Sequence, residues 1–240
     1  MQYLQKDVNY SGAVRDQIRM SRVRFSHLLL HGKSTDGTAH SSSELIADLK
    51  KIIINSALSG FASQKKNITD VSLWDFINVS DMSGGVGYSA TDLSYRALIP
   101  LGDYNLQDSD MIFDVASSSN LTKQLSFRMV ALRLGDGIER VEYLKRPVPT
   151  DGVHFARVLQ LYDVDVNATE VKSLLSFENG TQAEIRHHSA LELTQAVSRI
   201  ESVNTYGCVY SDKDIEEGRA FKIEPSAAFN ALAIQYSTLN

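Results

Sequence analysis

Apolar residues recur along most of this chain with a period of two. The runs are short and bounded by Gly, Pro, Asn, Asp and Ser, the mark of half-buried β-strands. In the clearest run, Leu93, Tyr95, Ala97 and Ile99 alternate with Ser94, Arg96 and Leu98, and Pro100 reads as its breaker. Leu101-Gly102 then turns the chain toward a strand at Asp110–Val115. Leu125, Phe127 and Met129 form another run, after which the apolar parity switches to Val130, Leu132 and Leu134. A bulge near Val130 or Ala131 explains the switch, as does burial on both faces. Phe25–Leu30 reads as a strand buried on both faces, followed by a turn-rich loop over His31–Thr38. Helical signals are few. Ser43–Leu49 reads as a helix capped by Ser41 to Ser43, or as the lead into the next strand. Ser72-Leu73-Trp74-Asp75 places an acid three residues after a serine, a capping-box start. Ser189 and Glu192 repeat that spacing, and a short helix is expected over Leu191–Ile200.

The strand-rich pattern occurs twice. Phe25–Leu30 matches Phe155–Tyr162, Leu49–Ile54 matches Val171–Phe177, and Asp110–Val115 matches Ala231–Tyr236. The turn Glu178–Thr181 and the strand Ala183–Ile185 complete the second copy, with further strands at Tyr206–Tyr210 and Ala220–Ile223. Pro147-Val148-Pro149-Thr150-Asp151-Gly152 is the expected linker. The domains read as a basic arm over residues 1–24, a first sandwich over 25–146 and a second over 147–240. No succession of strand-helix-strand units appears, which disfavours a doubly wound α/β fold.

Composition narrows the function. The 240 residues carry a net charge of −5, which argues against a general nucleic-acid binder. One cysteine, Cys208, excludes an intrachain disulfide. No apolar run approaches the roughly 18–20 residues that span a bilayer. The first residues lack an apolar leader core, so synthesis in a cytosol is expected. Residues 1–24 stand apart: Lys6, Arg15, Arg19, Arg22 and Arg24 face only Asp7 and Asp16, an excess of three positive charges. They read as a solvated segment packed on its own domain, or as an extended arm that meets lipid headgroups or a neighbouring subunit.

Candidate chemistry is sparse. His187-His188 are adjacent, so their rings diverge. His27 and His31 lie four apart in strand and loop surroundings, and His40 and His154 are isolated. Asp108-Ser109-Asp110 and Asp163-Val164-Asp165 alternate carboxylates, but neither is a complete calcium loop, so loop-bound calcium is the single cofactor they suggest. Gly84-Gly85-Val86-Gly87 lacks the lysine and the setting of a phosphate loop. Cys208 reads as a buried thiol and Trp74 as a core plug. Six Asn-x-Ser/Thr triplets begin at Asn9, Asn67, Asn78, Asn120, Asn167 and Asn179. They read as turn builders between strands.

Arg157–Tyr162, Glu170–Gly180 and Ser189–Leu193 together resemble the opening of a viral jelly roll. Tyr95–Gly102, with Leu106 and Asp110–Val115, resembles the later strands of the same sandwich. The family is the double jelly-roll major capsid proteins of icosahedral bacteriophages with an internal membrane, of the corticovirus and finnlakevirus kind. The resemblance covers most of residues 25–240 through strand order and turn placement. It implies an all-β chain of two tandem jelly-roll β-sandwiches with short helices in loops. It also implies a non-enzymatic capsid protein of the virion, synthesised in the host cytoplasm, that forms pseudo-hexagonal homotrimers around an internal membrane. Its partners would be copies of itself, neighbouring capsomers, other virion proteins and lipid touched through the basic arm, with no direct nucleic-acid contact. Two other classes compete. A β-sandwich binding module (phage spike, fibre or carbohydrate-binding protein) would cluster exposed aromatics at one loop end, whereas this sequence scatters them. An enzyme on a β-scaffold would need a carboxylate or histidine constellation assembled in space.

Overall fold

The structure is a computed structural model. It describes residues 5–10, 15–34, 42–59, 65–82, 88–89, 94–107, 109–117, 121–122, 124–155, 158–163, 170–176, 182–188, 194–197, 206–210 and 221–236. The chain divides into two compact units, with the boundary between Glu142 and Tyr143.

The first unit holds β1 (Gln5–Tyr10), β2 (Arg15–Ser21), β3 (Arg24–Ser34), α1 (Ser42–Lys51), β4 (Ile52–Ser59), β5 (Lys65–Ser72), α2 (Leu73–Met82), β6 (Tyr88–Ser89), β7 (Ser94–Asn105), β8 (Asp110–Ser117) and β9 (Leu125–Leu132). One layer runs β1-β9-β3-β7-β6, and in the other β5, β4, β8 and β2 are successive neighbours. The second unit holds β10 (Val141–Val148), β11 (Val153–Phe155), β12 (Val158–Asp163), β13 (Val171–Ser176), β14 (Gln182–His188), β15 (Thr194–Val197), β16 (Tyr206–Tyr210), β17 (Phe221–Pro225) and β18 (Phe229–Tyr236). Its layers run β15-β16-β12-β18-β10 and β11-β17-β13-β14.

Set β6 and β15 aside and number the remaining strands of each unit from one to eight. Both units then give 1-8-3-6 in one layer and 2-7-4-5 in the other. That double Greek-key order is the jelly roll. Each unit also adds one short strand just before its sixth, paired antiparallel with it: β6 on β7 and β15 on β16. The expected all-β double jelly roll is therefore present. Two of the three sequence matches fall on equivalent strands, β3 with β12 and β4 with β13. The third does not: β8 is equivalent to β17, and β18 to β9.

Alternation explains the layers. Along β8, Met111, Phe113 and Val115 are buried while Ile112, Asp114 and Ala116 are half-buried on the outer face. Along β2, Ile18 and Met20 are fully buried between exposed Gln17 and Arg19. Facing them are Phe25, Leu28 and Leu30 of β3 with Phe127 and Met129 of β9. The parity switch after Met129 comes from burial on both faces, because Met129, Val130 and Ala131 are all buried and the β3–β9 register is unbroken.

Several expectations change. The described part of residues 1–24 is not a free arm: β1 pairs along β9 and β2 along β8. Lys6, Asp7, Arg15, Asp16 and Arg19 belong to the outermost strands of the two layers, where charge discourages pairing with a foreign edge. His31–Ser34 continues β3, with Gly32 paired to Tyr95 and Phe127. Pro100 lies inside β7. It sits beside the register shift between Phe25 and His27, on a stretch of β7 whose other side has no described neighbour. A missing N–H is tolerated at both kinds of place. Ser42–Lys51 is helical, and Ile52 begins the strand. The expected linker is instead the end of β10 and a tight turn, closed where Gly152 N–H donates to Pro149 O at 2.9 Å. The helix expected over 191–200 gives way to β15 at Thr194–Val197.

The capping box at α2 is as read. Ser72 N–H donates to Asp75 Oδ2 at 2.9 Å, and Asp75 N–H to Ser72 Oγ at 3.1 Å. Trp74 is 2% exposed in the first turn, a core plug. On α1, the fully buried Asp48 accepts from Thr122 N–H at 2.8 Å and from Lys51 Nζ at 3.0 Å. That carboxylate anchors the helix to the segment entering β9. No helix among the described residues is long and apolar enough to cross a membrane.

Candidate interaction surfaces

Four of the five basic residues singled out by sequence have described side chains, and the strands disperse them. Arg15 reaches across from β2 to β8, where its Nε donates to both carboxylate oxygens of Asp114 at 2.9 and 3.0 Å. Arg19 pairs with Asp110 at 3.5 Å. Arg24 pairs with Asp136 at 3.4 Å, which also binds Arg133. These pairs are exposed and contribute little stability, but they neutralise the cations within the sandwich surface. Arg22 occupies the β2–β3 turn at φ 53°, with its N–H donating to Leu106 O at 2.7 Å. Lys6 lies in β1 at the register position opposite Met129.

The outer face of the 2-7-4-5 layer of the first unit carries an open groove of about 440 Å³ with a mixed polar and apolar lining. Arg15, Gln17, Asn55, Lys66, Asp70 and Asp114 line it. Asp70 adopts φ 55°, and its N–H donates to Asn55 Oδ1 at 2.9 Å. Two register irregularities between β4 and β5 accompany this kink.

The outer face of the 1-8-3-6 layer is different. Its central strand β3 presents His27, Leu29, His31 and Lys33 outward. Leu29 is flanked in register by Leu98 and Val130, a wholly apolar row. His31 is flanked by Arg96 on one side and Arg128 on the other, a row of three cation-forming groups. Sequence reading missed this row because its members come from three strands far apart in the chain. The one available signal was that Arg96 and Arg128 each fall on the polar parity of an alternating run. Both histidines are held below the ordinary imidazole range. For His27 the cause is burial; for His31 it is burial first, then Arg96, Arg128 and Lys33. His27 Nδ1 also lies 2.9 Å from Ser26 Oγ, which accepts from Leu134 N–H at 3.0 Å.

The segment after β9 closes over the end of β7. Asp103 N–H donates to Ile138 O at 3.0 Å and Arg140 Nε donates to Asp103 O at 2.9 Å. The Arg140 guanidinium lies 4.8 Å from the centre of the Tyr104 ring, whose other neighbour Phe25 stacks at 5.6 Å. Burial pushes the Tyr104 phenol up to about 12, with Arg140 opposing. Tyr104 Oη, Asn67 Oδ1 and Ser56 Oγ are buried without a hydrogen-bond partner. Asn67 stands near the phenol but directs its amide to Met111 Sδ at 3.7 Å.

The remaining candidates resolve as follows. Asp110 is committed to Arg19, and Asp108 lies outside the described residues, as do Asp165, His40 and residues 83–87. Among the described residues no three His, Cys, Asp or Glu gather as metal ligands. His154 is exposed on β11. His187 and His188 lie in β14 opposite Lys172 and Val171, and Cys208 lies in β16 opposite Gln195 and Asp163. Asn9, Asn67 and Asn78 sit in β1, β5 and α2 rather than in turns. Asn67 is 1% exposed, so the folded chain offers no glycan acceptor there. The other three triplets begin outside the described residues.

No family model matches the sequence, and no curated protein matches it. Among solved structures, the chain is similar to the major capsid protein P2 from bacteriophage PM2. The identity is 9%, the alignment covers 99% of each chain, and the TM-score is 0.48. It is also similar to dimeric latent PorU from Porphyromonas gingivalis, at 9% identity over 99% of this chain and 22% of that one, with a TM-score of 0.19. At scores below 0.5 neither likeness decides function. The strand order itself defines the sandwich type.

Proposed function

We propose that this chain is a structural virion protein, a major capsid protein that forms pseudo-hexagonal homotrimers in an icosahedral shell around an internal membrane. One observation carries the reading: the same 1-8-3-6 and 2-7-4-5 strand order, with the same added strand before the sixth, occurs twice in 240 residues. Three such chains supply six near-equivalent sandwiches, which is what a six-sided tile built from one gene product requires. A tile also needs rigid bodies whose sides bury area against one another, and no reactive centre. The proposed partners are further copies of the chain, neighbouring capsomers and other virion proteins. The lipid-facing element is not a free arm, since the described part of residues 1–24 is built into both layers.

The test is the solution mass of the purified chain by light scattering on a sizing column, followed by imaging of concentrated samples. A trimer of the 26.6 kDa chain that goes on to form sheets or shells is expected. A monomer that stays monomeric at high concentration would sink the proposal.

A further inference from the structure

The row across β7, β3 and β9 has the geometry of an anion site. Neighbouring strands lie about 4.8 Å apart, so the Cα atoms of Arg96 and Arg128 are roughly 10 Å apart with His31 midway. Both guanidinium stems are long enough to reach a ligand above the imidazole. Lys33 lies on the same face about 7 Å along β3, and its cross-strand partners Ser94 and Ser126 are uncharged. Arg96, Arg128 and Lys33 are exposed and His31 is half-buried. Among the described residues in register with this row, the one acidic residue is Asp7, opposite Arg128 on β1. Four cation-forming groups thus share one sheet face, with one carboxylate in register among the described residues, in a chain whose net charge is −5.

Like charges abreast destabilise a sheet. The apolar row of Leu29, Leu98 and Val130 borders the site, and weak screening beside it strengthens both the repulsion and the attraction for an anion. We propose that Arg96, His31 and Arg128, together with Lys33, bind a phosphate-type oxyanion, the arginines clasping it from two sides with the imidazole beneath. The planar guanidinium fork suits phosphate oxygens. That chemistry is shared by free phosphate and by the phosphate of an anionic lipid headgroup. The site stands independently of the shell reading.

A bound dianion would offset the arginines' effect on His31 and raise its pKa. By linkage, whichever phosphate ionisation is bound has the higher affinity for the protein with His31 protonated. The experiment is a histidine-ring NMR titration of the full chain in chloride and in phosphate at equal ionic strength, with His31 assigned through His31→Gln. The His31 midpoint should rise in phosphate by about half a pH unit or more. His27, beside Pro100 and Leu132 on the same strand, should not move. Arg96→Gln, an exposed change, should raise the His31 midpoint in chloride and abolish the phosphate response. Flotation with phosphatidylcholine vesicles, with and without phosphatidylglycerol, separates the two sources. Phosphate response without flotation assigns a free anion; flotation that needs phosphatidylglycerol and Arg96 assigns a headgroup. Equal shifts at His27 and His31, or no phosphate response together with no Arg96-dependent flotation, overturn the site.

Discussion

Replacing Gly102 with alanine should be among the most damaging small changes in this chain. Gly102 adopts φ 87°, a backbone state that side chains disfavour. A Cβ built there would lie 2.4 Å from Arg140 Cα and 2.4 Å from Glu139 O. Both obstacles are backbone, so no rotamer change relieves them. The segment after β9 would have to lift away. That would break the Asp103–Ile138 and Arg140–Asp103 hydrogen bonds and withdraw the Arg140 guanidinium from the Tyr104 ring. The backbone state costs about 1–3 kcal/mol, two hydrogen bonds about 1–3 together and the cation–π contact about 0.5–1, a total of roughly 2.5–7 kcal/mol. Gly137 is the internal control. It too has positive φ, at 70°, but a Cβ there would meet nothing within 4 Å, so Gly137→Ala should cost only about 1–2 kcal/mol. Urea unfolding followed by far-ultraviolet circular dichroism compares the two. If Gly102→Ala unfolds at the same urea concentration as Gly137→Ala, the close approach of Arg140 does not exist and the latch is wrong.

Two other outcomes follow from local chemistry. Ser72→Ala and Asp75→Ala should each lower stability by about 1 kcal/mol, and the double variant by less than the sum, because the two residues satisfy each other's backbone N–H; strict additivity in a double-mutant cycle would contradict the reciprocal cap. The folded state holds His27 and His31 below the ordinary imidazole value, so their contribution to stability is complete above about pH 6.5 and is lost as the pH falls through their folded values. Denaturation midpoints should therefore fall between about pH 7 and pH 5, with a shallower slope when both residues are glutamine. Unchanged slopes in that variant would place the pH sensitivity elsewhere.

Much of the fold was legible because strand alternation is a local property. Met111–Val115 and Leu125–Met129 declare their buried faces without help, and Ser72 to Asp75 declares its cap. The first two strands were not legible. Outward positions on an outermost strand are free to carry charge, so Arg15 and Arg19 give β2 the composition of a solvated arm, while its buried face shows only Ile18 and Met20. Pro100 looked like a terminator because the sequence does not reveal that β7 at Pro100 has no described neighbour on one side. The cationic row was hidden for a different reason. Arg96, His31 and Arg128 become adjacent only through the β3 registers, which no local pattern encodes.

The strand order also sets a schedule for synthesis. Arg15 pairs with Ala116 and Gln5 with Val130, so β1 and β2 wait for partners about a hundred residues downstream. At about 5–20 residues per second, the ribosome needs roughly 6–25 s to make the stretch between Gln5 and Val130. β1 has no sheet to join throughout that interval, and β2, with Ile18 and Met20 on its buried face, has none until β8 emerges. The alternating charges that disguise them in the sequence would keep the nascent segment soluble until β8 and β9 emerge. Neutralising those charges would then show first as aggregation during expression, before any loss of stability in the finished protein.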